Sequence, residues 1–306
     1  RSTPKPSSAA SDVYKRQILR VGQPSLSYPS WTVISSGTWQ EVSGVTTNWY
    51  EGAVKVDTIF NRAREAGLPA IIVGSPGWGE LFGSQASIVK TVEEPPESAE
   101  DERFAEADKK VFELALELLK DKEKGLFLIH FVGTDALAHK HGGISTEYRD
   151  EAIRIDGYIA KFLEELDLEK DAVLITSDHG HIDTGGHGGW EEVVLKVPLV
   201  MVGKGIRAGV YPEARQVDIA PTVAMLLGTA FPVHSQGRPL MEAIDAPAAF
   251  KGQRGLDAAL QLVGFYDTYA HTLKAKPFAG DILSKHRENI CLLYTSDAAD
   301  EGLGVD

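Results

Sequence analysis

Apolar runs and helix-like periodicities alternate along this chain, and most apolar runs are followed by a polar loop. This alternation predicts a doubly wound α/β fold, with a mostly parallel sheet and helices on both faces. In such a sheet the carboxyl ends of the strands share one edge, where binding loops gather. The predicted helices cover residues 54–67, 101–125, 145–166 and 218–228, and the predicted strands cover 69–74, 126–132, 172–176 and 197–203.

Composition and charge narrow the class of partner. The chain has 306 residues, 43% of them apolar, which is enough to build a sizeable core. Its formal net charge of −13 opposes binding to a nucleic-acid polymer, whose phosphates are themselves negative. The same charge is compatible with a protein that uses metal ions to hold a small anion.

Both ends of the chain carry a segment that is foreign to the rest. Residues 7–17 can be encoded by a DNA stretch whose reverse complement, read one base over, encodes residues 291–300. We therefore expect translated sequencing adaptor at both ends and a native part between them that is a fragment. The expected division is adaptor over 1–17, a doubly wound α/β catalytic domain over 18–247, a helical appendage over 248–290, and adaptor over 291–306.

This division limits two other inferences. The single cysteine, Cys291, falls in a foreign segment, so the native part has no thiol from which a redox compartment could be read. The native part also contains no apolar run long enough to cross a bilayer. Because the native part is expected to be cut at both ends, membrane association and cellular location stay undecided at this point.

Two polar motifs follow consecutive predicted strands. Asp135 and His139 have i, i+4 spacing, which places both side chains on one face if the segment is helical. Asp178 and His179 are adjacent after the next strand, and His187 follows in a glycine-rich loop. Mixed Asp and His ligands suit zinc or manganese, and this set is too large for one ion with an open position. We therefore expect two divalent ions about 4 Å apart, an arrangement that clamps both oxygens of a displacement at phosphorus.

Each motif alone has a simpler interpretation. A lone DxxxH pattern is common on helices, and Asp178 could be a turn cap. The order of the motifs on consecutive strand ends favours the metal interpretation. Among the other histidines, His130 is expected to be a hydrogen-bonded core residue, and His141 and His181 are expected to be neighbours of the ligands or exposed.

Taken in order, the motifs resemble those of the alkaline phosphatase superfamily, in particular its type I phosphodiesterase and nucleotide pyrophosphatase branch. There a DxxxH pair, a later DH pair and a final GxHG-type histidine bind two metals, usually zinc. The resemblance covers nearly all of residues 24–240. It implies an alkaline-phosphatase-like fold and the transfer of a phosphoryl group.

The resemblance also implies a nucleophile, a Thr or Ser just before Phe/Tyr-Pro at the start of a helix. Here Ser27 precedes Tyr28 and Pro29. Pro29 is expected at the first helical position, and Gly37 is expected to close the helix. Free backbone N–H groups at that start would face a phosphate oxygen.

Three neighbouring residues bear on this assignment. Ser25 and Ser30 are rival nucleophiles, and for Ser27 itself the simpler role is an N-cap. Asn48 lies where the family has an asparagine that holds a phosphoryl oxygen, although alone it would be a turn residue.

One ligand of the family pattern is missing. The second metal of the family also takes an aspartate at the end of the first strand, and residues 18–24 contain none. Asp12 is adaptor-encoded, so we expect the strand and its aspartate to belong to the missing part of the protein. The chain itself is then expected to bind its second ion poorly and to be inactive.

The resemblance also implies how the two ions are shared. One ion is expected on Asp178, His179 and the missing aspartate, where it coordinates Ser27. The other is expected on the remaining three ligands, Asp135, His139 and His187.

The expected activity is hydrolysis of a small phosphate ester through a phosphoserine intermediate. A sulfatase is disfavoured because the native part lacks the C/S-x-P-x-R motif, and a cofactor-independent phosphoglycerate mutase because Ser27 and Asp135 are too close in sequence. A phosphoethanolamine-type phosphotransferase of the same superfamily is the alternative, since only the acceptor differs. A non-catalytic metal-binding relative is a further alternative.

Overall fold

The structure, a computed structural model, describes residues 15–121 and 125–273, which form a mixed α/β fold. The strands are β1 (Lys15–Arg20), β2 (Ala70–Gly74), β3 (Ile88–Thr91), β4 (Leu126–Ile129), β5 (Ala172–Thr176), β6 (Lys196–Gly203) and β7 (Ala214–Arg215). The helices are α1 (Ser27–Ser36), α2 (Gln40–Ser43), α3 (Ile59–Glu65), α4 (Pro76–Phe82), α5 (Asp101–Lys120), α6 (Gly133–His141), α7 (Thr146–Glu165), α8 (Glu192–Leu195), α9 (Ile219–Leu227) and α10 (Ala248–Thr272). The predicted α/β class is confirmed.

The strands form two sheets. In the first, β2 lies between β3 and β4 and is parallel to both. In the second, the order is β5-β6-β1-β7, and β6 runs antiparallel to both of its neighbours. The direction of β6 departs from a fully parallel sheet. The segment between β5 and β6 contains only the four-residue helix α8, which is too short to carry the chain back to the other end of the sheet.

Helices cover both faces of β2, as the prediction of a doubly wound fold requires. Ile72 packs on one face in a cluster that contains Phe60 and Phe82. Ile71 and Val73 point to the other face, where they join the apolar side of α5. Because successive side chains of a strand alternate between faces, a strand buried on both sides needs the continuous apolar sequence seen here.

Most predicted boundaries agree with the structure to within a few residues. The N-cap predicted at Ser145 is confirmed, since its side chain accepts a hydrogen bond from the backbone N–H of Tyr148. The helix predicted from residue 54 begins only at Ile59, with Thr58 as its cap. The residues before it are extended and bury Val54 and Val56 in the core.

Two elements of the structure, β1 and α10, can be compared with the expected domain boundaries. Strand β1 begins at Lys15, so it includes three residues of the segment predicted to be adaptor. Helix α10 lies within the predicted appendage. Residues 1–14, which include Asp12, and residues 274–306, which include Cys291, lie outside the described part of the chain. The domain boundaries therefore stay a prediction.

None of the helices in the described part of the chain combines the length and the apolarity that crossing a bilayer requires.

Strands β4 and β5 are edge strands of different sheets, because within the described chain each of them pairs on one side only. Most of their side chains are half-buried, in contrast to the fully buried β2.

A buried carboxylate holds the start of α6. Asp108 of α5 has no exposed surface and accepts hydrogen bonds from the backbone N–H groups of Val132 (2.9 Å) and Gly133 (3.0 Å). A Cβ atom on Gly133 would lie 2.5 Å from Oδ2 of Asp108, so the close approach requires glycine. Burial, together with the charge of the neighbouring Glu151, raises the pKa of Asp108 to about 7, against the lowering effect of the bonds from Val132 and Gly133.

This raised pKa predicts a pH-dependent stability. Between the ordinary pKa of Asp108 and about 7, the folded protein binds a proton that the unfolded chain has released. The contribution of Asp108 is therefore fully present in acid, falls as the pH rises through this window, and levels off above it. Urea unfolding at steps from pH 4 to 8 measures it, with a total effect on the order of a few kcal/mol.

The matched comparison is Asp108→Asn against Glu113→Gln, an exposed carboxylate on the same helix. Asp108→Asn should flatten the decline of the free energy of unfolding with rising pH, because asparagine does not titrate. The variant also loses one of the two acceptor oxygens at the start of α6. Glu113→Gln should leave the decline unchanged. Equal slopes in the wild type and in Asp108→Asn would contradict the assignment.

Candidate metal centre

Helix α6 aligns the first pair of expected ligands. Asp135 lies in its first turn and His139 one turn later, with His139 Nε2 3.8 Å from Asp135 Oδ1. The helical conformation that the spacing required is therefore present. Because α6 follows β4 almost directly, both side chains lie at the carboxyl end of the first sheet.

The loop after β5 supplies the other ligands. It runs from Ser177 to α8 and carries Asp178, His179 and His187. Gly185 of this loop has a φ of 92°, and a Cβ atom there would lie 2.6 Å from the carbonyl oxygen of Ala138. Glycine therefore lets the loop approach the backbone of α6, which brings the two motifs together.

The two motifs meet around one carboxylate oxygen. The Nε2 atoms of His187 and His179 lie 3.5 Å and 3.9 Å from Asp135 Oδ1. His139 and His187 approach each other to 2.9 Å between their Nε2 atoms. His179 also approaches Asp178, with 3.4 Å between His179 Nε2 and Asp178 Oδ2. The structure thus brings together all five side chains that were expected to bind metal.

A sixth polar side chain, His181, joins the five expected ligands. It was expected to be a neighbour of the ligands or exposed, and the structure confirms the neighbour position: its side chain is 5% exposed and its Nε2 lies 2.7 Å from Asp135 Oδ1. One ligand atom from each of Asp135, His139, His181 and His187 falls within 4.8 Å of the others, so His181 could itself be a ligand.

These residues fit a divalent metal. Ligands at zinc–nitrogen distances of about 2.0–2.1 Å in a tetrahedron lie roughly 3.3 Å apart, which is within the range of the separations seen here. His179 Nε2 is buried and has no hydrogen-bond partner, an unusual state for a polar atom unless it faces a cation. Carboxylate and imidazole donors together suit zinc or manganese.

The electrostatics favour the forms that bind metal. Burial alone would raise the pKa of Asp135, but the hydrogen bonds from His181 and His187 lower it well below its usual range. Burial lowers the pKa of His139, against the effect of Asp135. An ionised carboxylate and neutral imidazoles are the protonation states that metal ions require.

His130 and His141 are outside the group of side chains that meet at Asp135. His130 follows β4 and packs its ring edge-on against Trp31 at 4.8 Å between centroids. It occupies the predicted core position, but its Nδ1 has no hydrogen-bond partner. His141 bonds to Asp101 at 2.9 Å on the outer side of α6.

Ser27 lies at the amino end of α1, but not as expected. The N-cap is Leu26, so Ser27 is the first helical residue and Pro29 the third, not the first. Gly37 closes the helix in the left-handed conformation, with a φ of 69°, as predicted. A capping role for Ser27 is therefore wrong. Its hydroxyl lies on the first turn of the helix.

The rival serines are less accessible. Ser25 is 3% exposed and its hydroxyl donates to the carbonyl oxygen of His187 at 3.3 Å, while Ser30 is fully buried. Ser27 is half-buried. Ser27 also lies four residues before Trp31, whose indole N–H donates to Asp178 Oδ2 at 2.8 Å. Because residues four apart share a helix face, Ser27 lies on the face of α1 that meets the Asp178 side of the centre.

Asn48 lies at the start of α1. Its Oδ1 accepts a hydrogen bond from the backbone N–H of Tyr28 at 2.9 Å. This bond occupies one of the backbone donors that were expected to face a phosphate, and Pro29 has none to offer. The Asn48 amide NH₂ is a donor at the same helix start.

Loop contacts hold the start of α1 against the loop that carries the candidate ligands. Gln23 donates from its side chain to the carbonyl oxygen of Gly189, and Ser25 donates to the carbonyl oxygen of His187. The segment that leads into α1 and Ser27 is therefore tied to the loop that carries His187.

Comparison with known proteins agrees with this geometry. The family model for type I phosphodiesterase / nucleotide pyrophosphatase matches residues 7–222. The chain belongs to this family. The match begins inside the segment that was predicted to be adaptor.

Curated relatives carry the name GPI ethanolamine phosphate transferase 1. The Schizosaccharomyces pombe protein is 27% identical over 280 residues, which is 78% of this chain and 30% of that protein. The human protein is 24% identical over 285 residues, again 78% of this chain and 30% of that protein. The chain thus spans about a third of the length of the curated relatives that it matches.

Solved structures of the alkaline phosphatase superfamily share the fold. Wild-type alkaline phosphatase PafA has a TM-score of 0.65 at 11% identity, covering 78% of this chain and 93% of that chain. The phosphonate monoester hydrolase SpPMH from Silicibacter pomeroyi has a TM-score of 0.53 at 14% identity, covering 76% and 73%. The predicted superfamily and its fold are therefore confirmed, and the enzymes of this superfamily act on phosphate esters.

The place of His181 in the cluster predicts a role in metal affinity. His181→Ala should weaken binding of the ion at Asp135 by about 10–100-fold, because it removes either a ligand or the partner that fixes a ligand. Competition with a chromophoric zinc chelator measures the affinity. His141→Ala removes a nearby imidazole on the outer side of α6 and should leave it unchanged. Equal affinities for the wild type and His181→Ala would refute this role.

Proposed function

We propose that the chain carries the catalytic site of a phosphoethanolamine-type phosphotransferase that acts through Ser27 and two divalent ions, most readily zinc. The observation that supports this best is the position of the Ser27 helix against the cluster that follows β4 and β5. The names of the curated relatives favour a transferase over the hydrolase expected from the sequence. The acceptor alone distinguishes the two reactions.

The ligands divide between two ions in this proposal. Asp178 and His179 would hold the ion that serves Ser27. Asp135, His139 and His187 would hold the second ion, and these three belong to a group whose ligand atoms lie within 4.8 Å of one another. When bound, such ions neutralise the charge of a phosphoryl group and lower the pKa of a coordinated hydroxyl.

The chain's own residues then carry the transfer. Ser27 Oγ forms a bond to phosphorus while the bond from phosphorus to the donor's alcohol oxygen breaks, and the alcohol leaves with a proton. This step produces a phosphoserine-type diester. Asn48 donates its amide NH₂ to a non-bridging oxygen. In the second step an acceptor hydroxyl attacks phosphorus, and Ser27 Oγ leaves and regains a proton.

We also propose that the intact site includes a further carboxylate, on a strand between β4 and β5. The polar groups after these strands meet within 3.9 Å, between His179 Nε2 and Asp135 Oδ1, although the strands belong to different sheets. A strand parallel to both would pair with two edges and end at the metal centre. An aspartate there would complete the ion beside Ser27, and the chain without it would hold this ion weakly.

A hydrolase is the second candidate, favoured by the description of the matching family model. In that case water takes the place of the acceptor alcohol. In both cases the proposed partner is a small phosphate ester, because the charge of −13 opposes a nucleic-acid polymer.

The nucleophile assignment is tested by Ser27→Ala. The variant should retain metal and lose turnover of bis-p-nitrophenyl phosphate by about 10³-fold or more, as for removal of a covalent nucleophile. It should also lose the burst of p-nitrophenol that accompanies formation of the phosphoserine. Because the second ion is expected to bind weakly, the assay uses excess zinc. Ser43→Ala, a hydroxyl on α2 that bonds to Gln40, is the control and should behave as the wild type.

The choice between transferase and hydrolase is tested with a phosphoethanolamine diester as donor. With glycerol present as an alcohol acceptor, a transferase should give mainly the new diester of glycerol. A hydrolase should give mainly free phosphoethanolamine at every glycerol concentration. Phosphorus NMR distinguishes the products, and a product ratio that is independent of glycerol would contradict the transferase proposal.

A further inference from the structure

Trp31 connects the nucleophile helix to a metal ligand. It lies on α1, four residues after Ser27, and is 4% exposed. Its indole N–H donates to Asp178 Oδ2 at 2.8 Å. Four residues correspond to about one helical turn, so Ser27 and Trp31 are on one face of α1, with their backbone positions about 6 Å apart along the axis.

The indole is itself held by aromatic packing. Trp78 of α4 stacks on it at 4.6 Å between centroids, with 15° between the ring planes. His130 packs against its edge, and Tyr28 lies at 5.4 Å. Because these rings restrict the indole, the direction of its N–H is fixed independently of Asp178.

The carboxylate of Asp178 has few other constraints. Its Oδ1 accepts from the backbone N–H of His179 at 3.1 Å, and its backbone carbonyl accepts from the side chain of Gln216 at 2.8 Å. The indole N–H is the described side-chain donor on Oδ2, the oxygen that lies 3.4 Å from His179 Nε2. Tryptophan can donate but cannot bind a metal, so it can orient this oxygen without competing for an ion.

We propose that Trp31 is a positioning residue. Its hydrogen bond orients the Asp178 carboxylate for metal binding and keeps α1, and with it Ser27, in a fixed position relative to that carboxylate. This inference rests on the proposed function, because it assumes that Asp178 is a ligand. A hydrogen bond to a ligating carboxylate orients it, and loss of such a partner costs about 10–100-fold in metal affinity. The hydrogen bond from Trp31 to Asp178 then orients a ligand of the ion and also holds α1, the helix that carries Ser27, against that ligand.

The test compares Trp31→Phe with Trp78→Phe in the full chain. Both substitutions replace one member of the same stacked pair, but only the first removes the N–H on Asp178. Zinc affinity is measured by competition with a weak chelator up to excess zinc, because the ion beside Ser27 is expected to bind weakly, and Asp178→Ala identifies the binding phase that depends on Asp178. Trp31→Phe should weaken that phase about tenfold or more and leave the other phase unchanged. Trp78→Phe keeps an aromatic ring against the indole and keeps the N–H on Asp178, so its effect on that phase should be much smaller.

Two results would overturn the inference. The first is wild-type affinity in Trp31→Phe, and the second is an equal loss in Trp78→Phe, which would assign the effect to packing. If Asp178→Ala removes no binding phase, the proposed metal assignment itself is wrong. That outcome is distinct from a failure of Trp31 alone.

A second measurement covers the case in which Trp31→Phe does not fold. In the wild type labelled with ¹⁵N-tryptophan, one indole signal should be protected from exchange and should shift when zinc is added. Asp178→Asn should shift the same signal and increase its exchange with solvent. If neither zinc nor Asp178→Asn changes an indole signal, the proposal is refuted.

Discussion

The convergence of imidazoles and carboxylates at the ends of β4 and β5 is the constraint on which the rest of the site depends. Four histidine rings face a single oxygen of Asp135 within 3.9 Å. Hydrogen bonds to Asp135 satisfy part of this cluster, but the buried Nε2 of His179 has no partner. Buried polar atoms in such a state are costly without a cation, so the cluster indicates a metal centre before any relative is considered.

The surrounding fold explains how these groups are held. Asp108 fixes the start of α6 through two backbone N–H groups, and Gly185 lets the second loop lie against the same helix. Trp31 reaches from α1, the helix that begins with Ser27, to Asp178. Together these contacts hold α6, the loop after β5 and α1 around the candidate ligands.

Much of this arrangement could be predicted from the sequence, because it depends on local patterns. The i, i+4 spacing of Asp135 and His139 and the apolar runs before the two motifs specify a helix and two strands. The place of His181 beside the ligands was expected, but its direct bond to Asp135 was not, because the spacing of the metal motifs does not include it and only the path of the loop brings it there. Trp31 was missed for a similar reason, since an aromatic residue on an apolar helix face is most simply a core residue.

The direction of β6 and the start of α1 show where tertiary structure overrides local signals. The antiparallel direction of β6 depends on how the loop after β5 packs around the ligands. The periodicity of apolar residues along the chain does not encode that packing. Pro29 suits the first turn of a helix at more than one position, so the register of Ser27 required the observed N-cap at Leu26.

The most direct test of the metal centre is anomalous X-ray scattering from zinc-loaded crystals, recorded on both sides of the zinc absorption edge. The account predicts anomalous peaks at bonding distance, about 2.0–2.2 Å, from the side chains of His139, His187 and His179. Zinc bound only elsewhere, or a centre in which the His139 and His179 rings turn away from each other, would contradict it.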